Sequence, residues 1–304
     1  MAELWLVCEG EPGSVDVAVL QRVLANVLVA EIVVEPACGS SPSVVAHYRE
    51  VRWGGRAAFL NDRDHRPRPE ADAALTDGRP GFLWRRHSIE NYLLSPQIIL
   101  RAFQHLCEEL ERQRSSRASA WLAALPADPE QVAEVLRECA GRRAAEEACR
   151  MANHRLWAML PPALGQVQKR NPQTPTNVDP NGWREALCQE VERVRNAAAR
   201  TADCSQFRRE EAILMFDAAY AEITAELYVT GMEFLIDFHG KDLLREFHRW
   251  LGSRKVLMAY DRLRGELIPA AVQEYEVNRK LYGEDDFRDL ANGVRSLAGL
   301  TPLA

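Results

Sequence analysis

Short apolar runs alternate with amphipathic stretches along the first 95 residues. Leu4 to Cys8, Ala30 to Val34 and Arg56 to Leu60 are compact apolar runs, and Val17 to Val27 and Ser43 to Val51 between them carry helical patterning. Buried strands separated by amphipathic helices predict βαβ units and hence a parallel sheet. Beyond residue 95 the texture changes. In "SPQIILRAFQHLCEELERQ", Ile98, Ile99, Ala102, Phe103, Leu106, Cys107 and Leu110 form a stripe at helical spacing, with Ser95 placed as N-cap and Pro96 at the first helical position. Similar stripes recur in "DPEQVAEVLRECAGRR", "NGWREALCQEVERVRNAAAR" and "RKVLMAYDRLRGELIPAAVQEYEV". Residues 161–182 hold five prolines and little apolar content, which predicts a loop between helices. The expected division is an α/β domain over 1–95 and an α-helical domain over 96–304.

Length and composition narrow the class. At 304 residues the chain exceeds an ordinary single domain, and 47% apolar residues suffice for a true core. A net charge of −6 argues against coating nucleic acid by charge alone, yet it permits a local basic groove. No basic segment followed by an apolar stretch opens the chain, and no apolar run reaches the roughly 18 residues of a membrane span. A cytoplasmic protein without membrane association is expected. Its seven cysteines form no CxxC pair, so they read as reduced core thiols.

Candidate chemistry lies where strands end. Ligands of open parallel sheets bind outside the carboxyl ends of the strands. Glu9 follows the first apolar run, and Asp62 and Asp64 follow the third. If the extended backbone persists, Asp62 and Asp64 share a face, since residues two apart in a strand point the same way. Carboxylates gathered in one place stay ionised together only around a cation, and a hard divalent ion with oxygen ligands suits them. The bland alternative is a strand-terminal turn in which Gly10 takes a left-handed backbone and Glu9 is solvated.

Taken in order, strand, Glu-Gly, helix, strand, helix, strand and Asp-x-Asp resembles the TOPRIM domain, a Rossmann-like α/β fold, over about residues 3 to 95. That resemblance implies Mg²⁺ (or Mn²⁺) held by Asp62 and Asp64, with Glu9 as acid/base or metal-associated group. One departure is visible: the family often reads Glu-Gly-x-x-Asp, whereas "EGEPGSVD" places Asp16 seven positions after Glu9. Asp16 is equally explained as a cap or first-turn carboxylate of the following helix, and Glu11 is an alternative neighbour of the metal. "RRHSIENYLLSP", residues 85 to 96, is similar to a segment of compact OLD-like TOPRIM nucleases, including the effector of the PARIS anti-phage system. By that likeness Glu90 is a further metal ligand; alternatively it is a favourable first-turn residue of a buried helix capped by Ser88. In "FLIDFHGKDLLREFHRWLG", Gly240-Lys241 resembles the Gly-Lys that such proteins direct at their metals, which implies a return toward the active site near 237–250 and a catalytic role for Lys241. A turn glycine followed by a solvated lysine is the alternative.

Arginines flank these strand ends, and Arg63, Arg66, Arg85 and Arg86 are the expected nucleic-acid contacts. The resemblance implies a Mg-dependent endonuclease hydrolysing DNA or RNA, a toxic effector in phage defence restrained by an ATPase partner subunit, and apolar helical faces make a homodimer plausible. No P-loop occurs here, so ATP use belongs to another subunit. Two rival readings are a non-catalytic TOPRIM-like module that binds a nucleotide or partner, and a phosphohydrolase of small molecules.

Overall fold

The computed structural model describes residues 4–24, 32–53, 56–66, 68–76, 79–159, 170–198, 208–229, 232–278 and 286–301. The end of the expected first helix beyond Leu24, the start of the second strand before Ile32, and residues 161–169 of the expected loop lie outside them. Four parallel strands form one sheet: β1 (Leu4–Cys8), β2 (Ile32–Pro36), β3 (Arg56–Asn61) and β4 (Gly81–Leu83), in the order β2-β1-β3-β4. Parallel neighbours need crossovers, and α1 (Val15–Val23), α2 (Pro42–Trp53) and α3 (Arg68–Thr76) supply them. β4 was not expected, because three residues carry no readable period.

β1 is an inner strand and is covered on both faces. Val7 packs with Ala37, Ala46 and Ala57, with Trp5, Val45 and Phe59 alongside. Arg49 of α2 pairs with Glu35 and lies 5.0 Å over the Trp5 ring, closing that side. Alternation sends Leu4, Leu6 and Cys8 to the opposite face, where they are also buried. A strand apolar on both faces is what the continuous run "LWLVC" encodes.

The chain continues through the short helix α4 (Glu90–Leu93), α5 (Pro96–Arg112), α6 (Arg117–Ala124), α7 (Pro129–Ala158), α8 (Pro180–Ala198), α9 (Arg209–Leu227), α10 (Gly240–Ser253), α11 (Tyr260–Asn278) and α12 (Asp286–Leu297). The stripe expected in α5 is buried from Ile98 to Leu110. Pro96 opens that helix as expected and Ser95 occupies the cap position, although its hydroxyl bonds Gln97 Oε1 at 2.8 Å rather than the helix backbone. The described part of the expected loop, 170–179, has no helix or strand, and α8 begins within the last three residues of 161–182.

The compact units do not part at residue 95. One comprises 1–136 and 239–304, the other 137–238. The reason is packing: α11 lies against α1 and α5, and α12 against α3 and β3, so late helices complete the unit that holds the sheet. In the second unit α8 packs on α9, Cys149 Sγ donates to the Trp183 carbonyl at 3.4 Å, and Arg184 and Arg155 pair with Asp217 and Glu222 of α9. The six described cysteines are not in disulfides, and five of them are buried. Among the described residues no helix is long and apolar enough to cross a membrane.

Candidate metal and acid site

In a sheet ordered β2-β1-β3-β4, the chain first steps to one side of β1 and then to the other, so the switch point falls between β1 and β3. Glu9 follows β1 and Asp62 follows β3 at that crevice. The Asp62 backbone N–H donates to Glu9 Oε1 at 3.3 Å, which ties the two strand ends together. The turn after β1 depends on Gly10, whose φ of 102° is left-handed and whose missing Cβ would stand 2.4 Å from Ser14 Oγ. That tight turn lets Ser14 cap α1, accepting from the Val17 N–H at 3.4 Å, and sets Asp16 in the first helical turn.

Asp16 is only 4% exposed, and it joins the cluster. Burial first, then the charge of Glu90, push its carboxyl up to about 7. Asp62 is 7% exposed and is raised well above the usual carboxylate range, by burial first and then by Asp16, Glu9 and Glu90. Cys8, beneath them, is pushed up to about 12 by burial and next by Asp16. Such mutual effects require the carboxylates to lie close together in a poorly hydrated space.

Asp64 differs from the expectation. The strand ends at Asn61, and Asp64 has φ 53°, so it does not share a strand face with Asp62. A turn takes over because the Asp64 N–H donates to the His87 carbonyl at 3.2 Å instead of continuing a ladder. Asp64 keeps access to solvent, yet protein surrounds it enough that burial, and then Glu9, raise its pKa.

Glu90 and Lys241 arrive from the other side. Glu90 opens α4 at 2% exposure, and its Oε1 is 3.9 Å from Lys241 Nζ. Burial draws the lysine pKa down, but Glu90, Asp62, Asp16 and Glu9 together hold it above its ordinary value. Gly240 makes this approach possible: a Cβ there would stand 2.5 Å from Asn91 Oδ1 and 2.8 Å from Asn91 N. Asn91 Oδ1 accepts from both the N–H and the hydroxyl of Ser88, at 2.9 and 3.0 Å, so α10 abuts a rigid capped turn. A row of imidazoles runs beside these loops, His65 to His87 at 4.9 Å and His87 to His239 at 5.0 Å between ring centroids.

Two carboxylate oxygens test whether a cation fits. Asp62 Oδ1 and Glu90 Oε2 are both fully buried and have no hydrogen-bond partner. A buried ionised oxygen without a donor is costly, and a hard divalent cation with oxygen ligands relieves it. Glu9, Asp16, Asp62 and Glu90 carry oxygen ligands of the kind a hard divalent cation takes, and their charges act on one another across the crevice, while Asp64 lies exposed beside Glu9.

The expected arginine contacts do not form one exposed patch. Arg85 is engaged by Asp72, Asp286 and Asp289 at 2.6, 2.6 and 3.0 Å. Arg86 is 2% exposed and lies 5.6 Å over the Tyr92 ring, and Arg63 is 3% exposed and donates to the Arg66 carbonyl at 2.9 Å. Packing inside the unit engages these three guanidinium groups, with Arg63 and Arg86 buried and Arg85 partly buried. Arg66 is partly exposed, moderates the Asp64 pKa and lines a cleft of about 300 Å³ with Phe59, Asn61 and Glu70. In the helical region Arg142, Arg143, Arg150 and Arg209 pair with glutamates on their own or adjoining helices. Asp16 stands in the first turn of α1, one of the roles its sequence position offers, and, buried between Val15 and Val17, it also acts on the Asp62 carboxyl. Compared with known proteins, the chain matches no family model, no curated protein and no solved structure.

Proposed function

We propose that this chain is a divalent-metal-dependent phosphodiesterase that hydrolyses DNA or RNA. The observation that supports the reading best is the pair of buried, unpartnered oxygens of Asp62 and Glu90 at a strand-end crevice also lined by Glu9 and Asp16. Those four carboxylates would hold Mg²⁺ or Mn²⁺. A metal bound there supplies Lewis-acid polarisation of a phosphoryl oxygen and an acidified water. Lys241, an ammonium beside the crevice, offsets negative charge that grows on the phosphoryl oxygens. Glu9 is oriented by the Asp62 N–H on one oxygen, so its carboxylate is fixed toward the space between β1 and β3. The TOPRIM resemblance supports the role of a defence effector restrained by an ATPase partner, and the apolar helical faces support a homodimer.

Purified protein is assayed with Mg²⁺ or Mn²⁺ on single- and double-stranded DNA and on RNA. Cleavage that needs the metal and is abolished in Asp62→Asn and Glu90→Gln is the expected result. Lys241→Met lowers kcat by about 100-fold or more with little change in metal affinity. Cleavage that survives both carboxylate substitutions refutes the reading.

A further inference from the structure

The first residue of a four-residue helix contributes one of the two unpartnered oxygens, and so short a helix cannot hold itself. Something outside α4 fixes Glu90. On one side stands the Ser88–Asn91 turn already described. On the other stands Tyr92, fully buried, with Trp84 at 5.2 Å and Phe287 at 5.3 Å between ring centroids. The phenol oxygen accepts from the Arg86 N–H at 3.5 Å and donates to Asp286 Oδ2. Asp286, fully buried at the start of α12, takes Arg85 Nη1 on its other oxygen at 2.6 Å. Arg85 also reaches Asp289 of α12 and Asp72 of α3. A single carboxylate thus joins the helix that carries Glu90 to the last helix of the described chain.

A buried carboxylate needs strong partners, and this one has a guanidinium and a phenol. Trp84, Tyr92, Tyr275 and Phe287 pack ring on ring, and the Tyr92 hydroxyl of that cluster meets the Asp286 carboxylate. What the ion adds is direction. The phenol hydrogen bond sets the rotation of α4 about its axis, and Glu90, two residues before Tyr92, turns with it.

We propose that Asp286 is a positioning residue that acts through Tyr92 to aim Glu90 into the metal site. The inference rests on the metal reading above. It makes α12 part of the apparatus that builds the site, although α12 contributes no ligand.

Mn²⁺ affinity of the full chain is measured by calorimetry and by electron paramagnetic resonance for wild type, Tyr92→Phe, Asp286→Asn, the double variant, and Leu110→Ala as a control that loosens α5 elsewhere. Tyr92→Phe and Asp286→Asn should each weaken Mn²⁺ binding roughly 10-fold, in the range seen for groups that orient metal ligands. The double variant should be no weaker than the worse single one, because both remove the same hydrogen bond. Leu110→Ala should lower Tm and leave affinity unchanged, as a merely structural effect does. If Asp286→Asn does not fold, Tyr92→Phe carries the test alone. Wild-type affinity in the Tyr92 and Asp286 variants, or equal loss in Leu110→Ala, overturns the inference and leaves the metal site standing. Wild-type protein that takes up no Mn²⁺ overturns the metal reading itself.

Discussion

Asp16 and Asp62 have a consequence for the metal-free protein that a melting curve can read. Burial, followed by repulsion from Glu90 and from Asp16 respectively, holds both carboxyls above their usual range, Asp16 at about 7. Unfolding returns them to ordinary aspartates with pKa about 4. The folded state therefore binds their protons more tightly, and the stability this contributes is complete below about pH 4 and lost as pH rises through about 7. In chelator, wild-type Tm should fall as pH rises from about 5 to about 7, where the folded state keeps protons that the unfolded chain has lost. Saturating Mg²⁺ should remove or reverse that fall, because the cation binds the ionised carboxylates and competes with their protons. Asp16→Asn combined with Asp62→Asn should flatten the dependence in chelator. A wild-type Tm that stays level in chelator across this window would show that the two groups are not buried together.

At the scale of elements, the close approach of α10 to the Ser88–Asn91 turn depends on Gly240. Alanine there puts a methyl 2.5 Å from Asn91 Oδ1 and 2.8 Å from a backbone nitrogen, and the backbone atom cannot rotate away. Gly240→Ala should cost about 1–3 kcal/mol in denaturant unfolding and withdraw Lys241 from Glu90. Gly252→Ala, at the other end of the same helix, meets nothing within 4 Å and should be neutral or slightly stabilising. The contrast shows what could be read from the chain beforehand. β1, β3 and α5 were legible because each is an unbroken apolar run or a stripe at helical spacing. Glu9 and Asp62 were legible as residues just past strand ends. β4 was not, because three residues leave no pattern, and Asp64 was misplaced because the backbone turns to satisfy the His87 carbonyl. The ion pairs of Arg85 could not be read, because sequence displays a charge and hides its partners: Asp286 and Asp289 lie some two hundred positions away. No local pattern could pair Tyr92 with Asp286.

For the whole molecule, the division into units separates the candidate chemistry from the second helical unit. Glu9, Asp16, Asp62, Asp64, Glu90 and Lys241 all belong to the unit made of 1–136 and 239–304, although Lys241 follows the second unit in sequence. Cation binding favours the folded form of the unit that binds it, by about 2.7 kcal/mol when the free ion is at 100 times its Kd. Chains with two compact units often unfold in more than one step. Amide hydrogen exchange followed by mass spectrometry should therefore show Mg²⁺ slowing exchange at the ends of β1 and β3, in α4 and at the start of α10, with little change in α8 and α9. Phe216 is fully buried on α9, and Phe216→Ala should cost about 3–5 kcal/mol there and speed exchange through α8 and α9. Mn²⁺ affinity of that variant should stay within about twofold of wild type, since none of these carboxylates lies in the second unit. A marked loss of affinity in Phe216→Ala would mean that metal binding draws on residues 137–238, and the assignment of the site to one unit would fail.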